Sequence, residues 1–364
     1  WNHRDAWHPS AVAGGSPGFD DTGLVPAPGA IVINELLANS SGGVPDWIEL
    51  HNTTDEPVDV GGWFLSDSAN DLTRYEIAPG TTVPAQGYLV LTEDQHFGNE
   101  ADPGCHRAFG LSRSGETLYL HSGSSGILTG YSEEVAFGPS ESGVTLGRHR
   151  TSTGVSHLVA MSQPTPGQRN AYPQVGPIVI TEIMYHPALS EDAEYVELLN
   201  IGDNDVVFYD FERAVPWRFT DDPDDPSVVF LFPDDPPVTL PPRHYLVLAK
   251  DRAVLESAYS VGMSAQILEW GIGSLSNATG TIQLSTPGGL EDDGQREWIC
   301  VERVRYSDGS RHDDFPTGRD PWPVGADGSG QSLVRTRADG YSNDPNNWQS
   351  AVDSAGAARR RPTP

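Results

Sequence analysis

Ile31-Val32-Ile33-Asn34-Glu35-Leu36 returns further along the chain as Ile178-Val179-Ile180-Thr181-Glu182-Ile183. The stretch after it, Asp46-Trp47-Ile48-Glu49-Leu50-His51-Asn52, returns as Glu194-Tyr195-Val196-Glu197-Leu198-Leu199-Asn200. Working outward, Trp63-Phe64-Leu65-Ser66-Asp67 corresponds to Trp217-Arg218-Phe219-Thr220-Asp221, and Tyr88-Leu89-Val90-Leu91 recurs unchanged at 245–248. Thr145-Leu146-Gly147-Arg148 parallels Ser332-Leu333-Val334-Arg335. The order never changes and the spacing only grows, as expected where loops have lengthened in the second copy. Self-similarity of this kind signals two homologous domains, placed at 27–171 and 176–358. Residues 1–24, with Trp7-His8-Pro9-Ser10 echoing Trp348-Gln349-Ser350, read as the tail of a preceding domain plus a linker. Residues 359–364 read as a basic, proline-containing tail.

Within each copy the pattern is β. Short runs rich in Ile, Val, Tyr and Trp alternate with Gly, Pro, Asn and Asp clusters, the signature of a sandwich or barrel. In Trp47-Ile48-Glu49-Leu50-His51, Ile48 and Leu50 share one face and Trp47, Glu49 and His51 the other. Only Asp251 to Tyr259 reads as a helix, capped by Asp251, with Val254, Leu255, Ala258 and Tyr259 as its apolar stripe.

Composition narrows the function classes. With 39 Gly and 30 Pro in 364 residues, the chain favours turns over long helices. Its 51 acidic and 22 basic residues give a net charge of −29, which repels phosphate backbones and anionic membrane surfaces, so neither nucleic acid nor a membrane is expected as a partner. Lys250 is the single lysine. Apolar runs such as Tyr88–Leu91 are far too short to span a bilayer. Cys105 and Cys300 stand far apart with no CxxC or Cys/His cluster, so neither a disulfide framework nor a zinc site is signalled.

Taken together, the Ile-Asn-Glu strand, Asp-Trp-Ile-Glu-Leu-His-Asn, Gly62-Trp63-Phe64-Leu65-Ser66-Asp67, Gly87-Tyr88-Leu89-Val90-Leu91 and Leu111-Ser112 with Gly115-Glu116 resemble the lamin-tail domain. The resemblance runs over about residues 30–170 and again over 177–357. It implies an all-β fold of two tandem immunoglobulin-like β-sandwich domains, with long loops and at most one or two short helices. That family forms the globular tail of nuclear lamins and occurs in large secreted bacterial proteins. The tandem arrangement and the acidity look like the bacterial branch, which implies a secreted or cell-surface location. The second copy departs most, with a Pro/Asp-rich insert from Asp221 to Pro237 and a long loop from Gly288 to Glu297.

Four groups of residues are site candidates. Glu35 and Glu49, repeated as Glu182 and Glu197, are a carboxylate pair of the type a glycoside hydrolase uses as acid and base, ~5–10 Å apart. The competing reading is structural: Glu35 is in phase with Ile31 and Ile33, so it is buried and needs a partner, Arg148, with Arg335 serving Glu182. Duplication favours a requirement of the fold. Trp63 and Trp217, also duplicated, read as core. Asp221, Asp222, Asp224 and Asp225 are the calcium candidates, against a solvated acidic loop, since they lack the EF-hand order of ligands. Trp47 and Trp322 are the candidate ligand-facing aromatics, suited to stacking on sugar. No HExxH or Walker motif is present, and calcium is the only cofactor candidate.

The expected function is therefore a non-catalytic structural or adhesion module of a larger secreted or surface protein, self-assembling through its edge strands. An accessory module for extracellular polysaccharide is the alternative, and a carboxylate-pair hydrolase the third reading. The expected partners are other domains of the parent protein, copies of the chain itself, or polysaccharide.

Overall fold

Alternating apolar residues put Ile31, Ile33, Ile48 and Leu50 on one face of two neighbouring strands, Ile31–Leu37 and Trp47–Asn52, which pair antiparallel. In the computed structural model, which describes residues 25–259, 265–291 and 294–351 together with Gly15 and Pro17, these two strands are the centre of a five-stranded sheet. Its order is Ser156–Ala160, Leu146–Arg150, Ile31–Leu37, Trp47–Asn52, Tyr88–Thr92. A four-stranded sheet, ordered Tyr75–Glu76, Phe64–Ser66, Glu116–Ser124, Ile127–Phe137, supplies the second layer. Leu65, Leu118 and Leu120 meet the isoleucines of the first sheet in one core, as the period-2 pattern of each strand requires.

The residues from 174 onward form two sheets of the same strand order, with one strand more in the larger. The larger sheet runs Gln266–Glu269, Tyr245–Ala249, Tyr195–Asn200, Ile178–Met184, Leu333–Arg335, Trp348–Ser350, and the smaller one Val229–Leu231, Arg218–Thr220, Thr279–Leu290, Arg296–Ser307. The Gln266–Glu269 strand, which pairs parallel to Tyr245–Ala249, has no counterpart in the first copy. The described residues up to 149 with 157–173 form one unit, and 150–156 with those from 174 onward form the other. The expected tails at 1–24 and 359–364 lie outside the described residues, Gly15 and Pro17 excepted.

Arg252–Ala258 is the one α-helix among the described residues. The Asp251 carboxylate caps it by accepting the Val254 N–H at 2.9 Å. Leu255 drops from the helix onto Met184, Tyr195 and Val247, so the helix covers the outer face of the larger sheet. Two stretches expected as loops are partly strand. Thr279–Leu290 and Arg296–Ser307 carry their hairpin into the Gly288–Glu297 region, and the Asp221–Pro237 insert contributes the Val229–Leu231 edge strand.

Candidate functional site

Chemistry-bearing side chains gather where the Ile31–Leu37 strand changes register. Ile33 stands opposite Leu50, but Glu35 stands opposite Glu49, so Asn34 is an extra residue and the strand bulges there. The bulge undoes the phase expected from sequence. Ile31, Ile33 and Leu36 remain in the core, whereas Glu35 turns to the other face and meets Glu49. The second unit bulges at the equivalent place, between Ile180 and Glu182, and sets Glu182 opposite Glu197.

Both pairs are sealed. Glu35 and Glu49 are 0% exposed, Glu182 2% and Glu197 4%. Hydrogen bonds replace the lost water. Glu35 accepts from the Thr145 hydroxyl at 2.6 Å, the Thr165 hydroxyl at 2.7 Å and the Thr165 N–H at 3.2 Å. Glu49 accepts from the Asn34 amide at 2.7 Å and from the Gly167 N–H. In the second unit the Tyr195 hydroxyl, at 2.6 Å, and the Ser332 hydroxyl bind Glu182, while the Thr181 hydroxyl binds Glu197 at 2.6 Å. Burial pushes Glu49 up to about 7, against the opposing hydrogen bonds from Asn34 and Gly167. It does the same to Glu197, and it raises Glu182 as well.

Neither arginine partners the carboxylate expected for it. Arg148 pairs with Glu133 at 2.6 Å and donates to the Ile33 carbonyl at 3.2 Å. Arg335 pairs with Glu302 and donates to the Ile180 carbonyl at 3.0 Å. Each arginine belongs to one sheet and its glutamate to the other, so the ion pair clasps the two layers beside the bulge. In each unit the guanidinium thus bonds both the carboxylate and the carbonyl that precedes the bulged residue. Glu133 and Glu302 were not singled out by the sequence reading, although both stand in the last strand of their smaller sheet.

A second repeated clasp ends the Trp47–Asn52 strand. Asn52, fully buried, donates its amide to the carbonyls of Glu56, Val83 and Pro84, and accepts the Thr54 N–H at 2.9 Å. Asn200 does likewise with Asn204, Leu240 and Gly202. The duplicated Asn in the sequence was the available signal for it.

The remaining candidates scatter. Trp63 is core, tilted against Tyr131 with ring centroids 4.8 Å apart, and Trp217 packs against the second core beside Phe208. Trp47 and Trp322 are not ligand-facing: only 5% and 4% of their surfaces are exposed, Trp322 lying in the second core beside Trp348. Asp221 spends its carboxylate on the Ser227 hydroxyl and the Val228 N–H, and Asp222 accepts from the Asp224 and Asp225 N–H groups. These are turn-closing bonds. Among the described residues no group of three or more His, Cys, Asp or Glu converges on a metal-sized site. Cys105 and Cys300 are unbridged.

No curated protein matches the chain. The family model of the Lamin Tail Domain matches residues 25–133, a span that holds the bulge, the pair Glu35 and Glu49, Trp63 and Glu133, and ends before Arg148 and the Thr165–Gly167 cap. The first unit of this chain therefore carries a lamin tail domain, of immunoglobulin-like fold.

Proposed function

We propose that the chain is a non-catalytic structural or adhesion module, two lamin-tail-type sandwiches in tandem, from a larger secreted or surface-displayed bacterial protein. One observation carries the reading. The groups with the most catalytic chemistry, the carboxylate pairs, occur in both units at the same bulge and are closed off from solvent in each. A catalytic pair has to reach its substrate, whereas a pair that fixes a bulge has to be shielded. The aromatic residues suited to a sugar platform are core residues, which removes the main support for the polysaccharide alternative. The acid-rich surface with its single lysine suits a protein that stays dispersed in saline surroundings.

The test is a hydrolysis screen of the full chain against polysaccharide, ester and phosphodiester substrates, with Glu49→Gln and Glu197→Gln as controls. Absence of turnover, together with altered thermal stability in the variants, supports the module. Turnover that either variant abolishes would overturn it.

A further inference from the structure

The two units differ at one edge of their larger sheets. In the second unit, Tyr245–Ala249 is paired on its outer side with the parallel strand Gln266–Glu269, and the Trp270 N–H adds a bond to the Ala249 carbonyl at 2.9 Å. In the first unit, the strand bearing the same Tyr-Leu-Val-Leu sequence, Tyr88–Thr92, ends its sheet. The Asn52 N–H bonds the Gly87 carbonyl and the Glu93 N–H bonds the Asp46 carbonyl, so Leu89 and Leu91 turn their peptide groups toward Trp47–Asn52. Tyr88, Val90 and Thr92 turn theirs outward. Thr92 is satisfied by the His96 ring and backbone, at 3.0 and 2.9 Å. Tyr88 and Val90 have no backbone partner among the described residues on that side.

We infer that Tyr88–Thr92 is a strand-addition site, which takes an extended, parallel segment of a partner polypeptide that, like Gln266-Ile267-Leu268-Glu269, sets an apolar centre between polar ends and whose C-terminal flank is basic. The second unit shows that this edge geometry accepts such a strand. Charge selects the flank. Asp46, Glu93 and Asp94 cluster at the far end of the edge, where a parallel strand ends, whereas Arg169 acts on Tyr88 at the near end and disfavours a basic N-terminal flank; the chain as a whole carries −29. A second copy, equally acidic, is repelled. Main-chain bonds then supply affinity and the alternate side chains supply selectivity. The inference rests on the reading of the chain as an interaction module and names the surface it uses.

The probe is a peptide of residues 265–270 with two lysines added at its C-terminal end, titrated into the full chain while amide exchange is followed residue by residue. At saturation, exchange at Tyr88 and Val90 slows about ten-fold or more, while Leu89 and Leu91, already bonded to the neighbouring strand, keep their rates. In Val90→Pro, whose missing N–H points away from the sheet, the peptide no longer binds; should that variant not fold, the alternation in the unmodified chain decides alone. Absence of the alternating pattern, or protection elsewhere, overturns the inference. Protection of the same amides that rises with protein concentration before any peptide is added overturns the choice of partner in favour of a second copy. None of these readouts depends on the hydrolysis screen, so the two readings fail separately.

Discussion

Arg335 and Glu302 join the two sheets of the second unit through an ion pair whose side chains are 0% and 4% exposed, whereas the equivalent Arg148 and Glu133 of the first unit are 26% and 18% exposed. The same clasp is thus built once in the dry interior and once near water. A buried pair repays its desolvation only while both partners are present.

Arg335→Met should therefore cost about 3–5 kcal/mol, because Glu302 is left charged and unpaired in the core. Arg148→Met should cost about 1 kcal/mol or less, since solvent screens the glutamate it leaves behind. Adding Glu302→Leu to Arg335→Met should recover most of the loss. Urea unfolding of the two single variants and the double mutant checks this, and equal costs for the two arginines would contradict it.

The carboxylate pairs set a pH dependence. Burial raises Glu49 and Glu197 from 4.5 to about 7, so the folded chain keeps protons that the unfolded chain releases above 4.5. Stability from this source is fully present below 4.5 and is lost as pH rises to about 7, on the order of 3 kcal/mol for each of these two glutamates. Calorimetry from pH 5 to 8 should show Tm falling across that window. Glu49→Gln, which cannot ionise, should flatten the slope for the first unit and lie above the unmodified chain at pH 8.

Asn52 is expected to be irreplaceable by its acid. Asn52→Asp keeps the oxygen that accepts the Thr54 N–H but loses the amide that serves three carbonyls, and it faces them with negative charge. A loss of about 2–4 kcal/mol follows, at least as large as that of Asn52→Ala. Denaturant midpoints of the two variants decide it.

The β class and the capped helix were legible because each is written in local periodicity. The side that Glu35 faces was not. Asn34 is inserted into the pairing, and a one-residue slip sends the next side chain to the opposite face, yet nothing in Ile-Val-Ile-Asn-Glu-Leu marks the slip. The partner of Arg148 was hidden for a different reason: Glu133 lies in the other sheet, and layer packing is not a property of either strand. Trp47 looked solvent-facing because Glu49 and His51 share its side of the strand. That side is covered too, as the bonds from Thr165 and Gly167 to the two glutamates show.

Thr165 is the residue through which that cover grips the bulge, since its hydroxyl and its N–H both bind Glu35. Thr165→Val keeps the shape and removes the hydroxyl, leaving one oxygen of a fully buried carboxylate without its donor, at a cost of about 1–3 kcal/mol. Thr165→Ser restores the donor and should recover most of that. Gly167 has a φ of +76°, in the left-handed region, so Gly167→Ala should also destabilise, by about 1 kcal/mol, through backbone strain. If Val and Ser at position 165 gave the same melting temperature, the hydroxyl bond to Glu35 would contribute nothing. The cover would then be held by its packing and by the Thr165 and Gly167 N–H bonds.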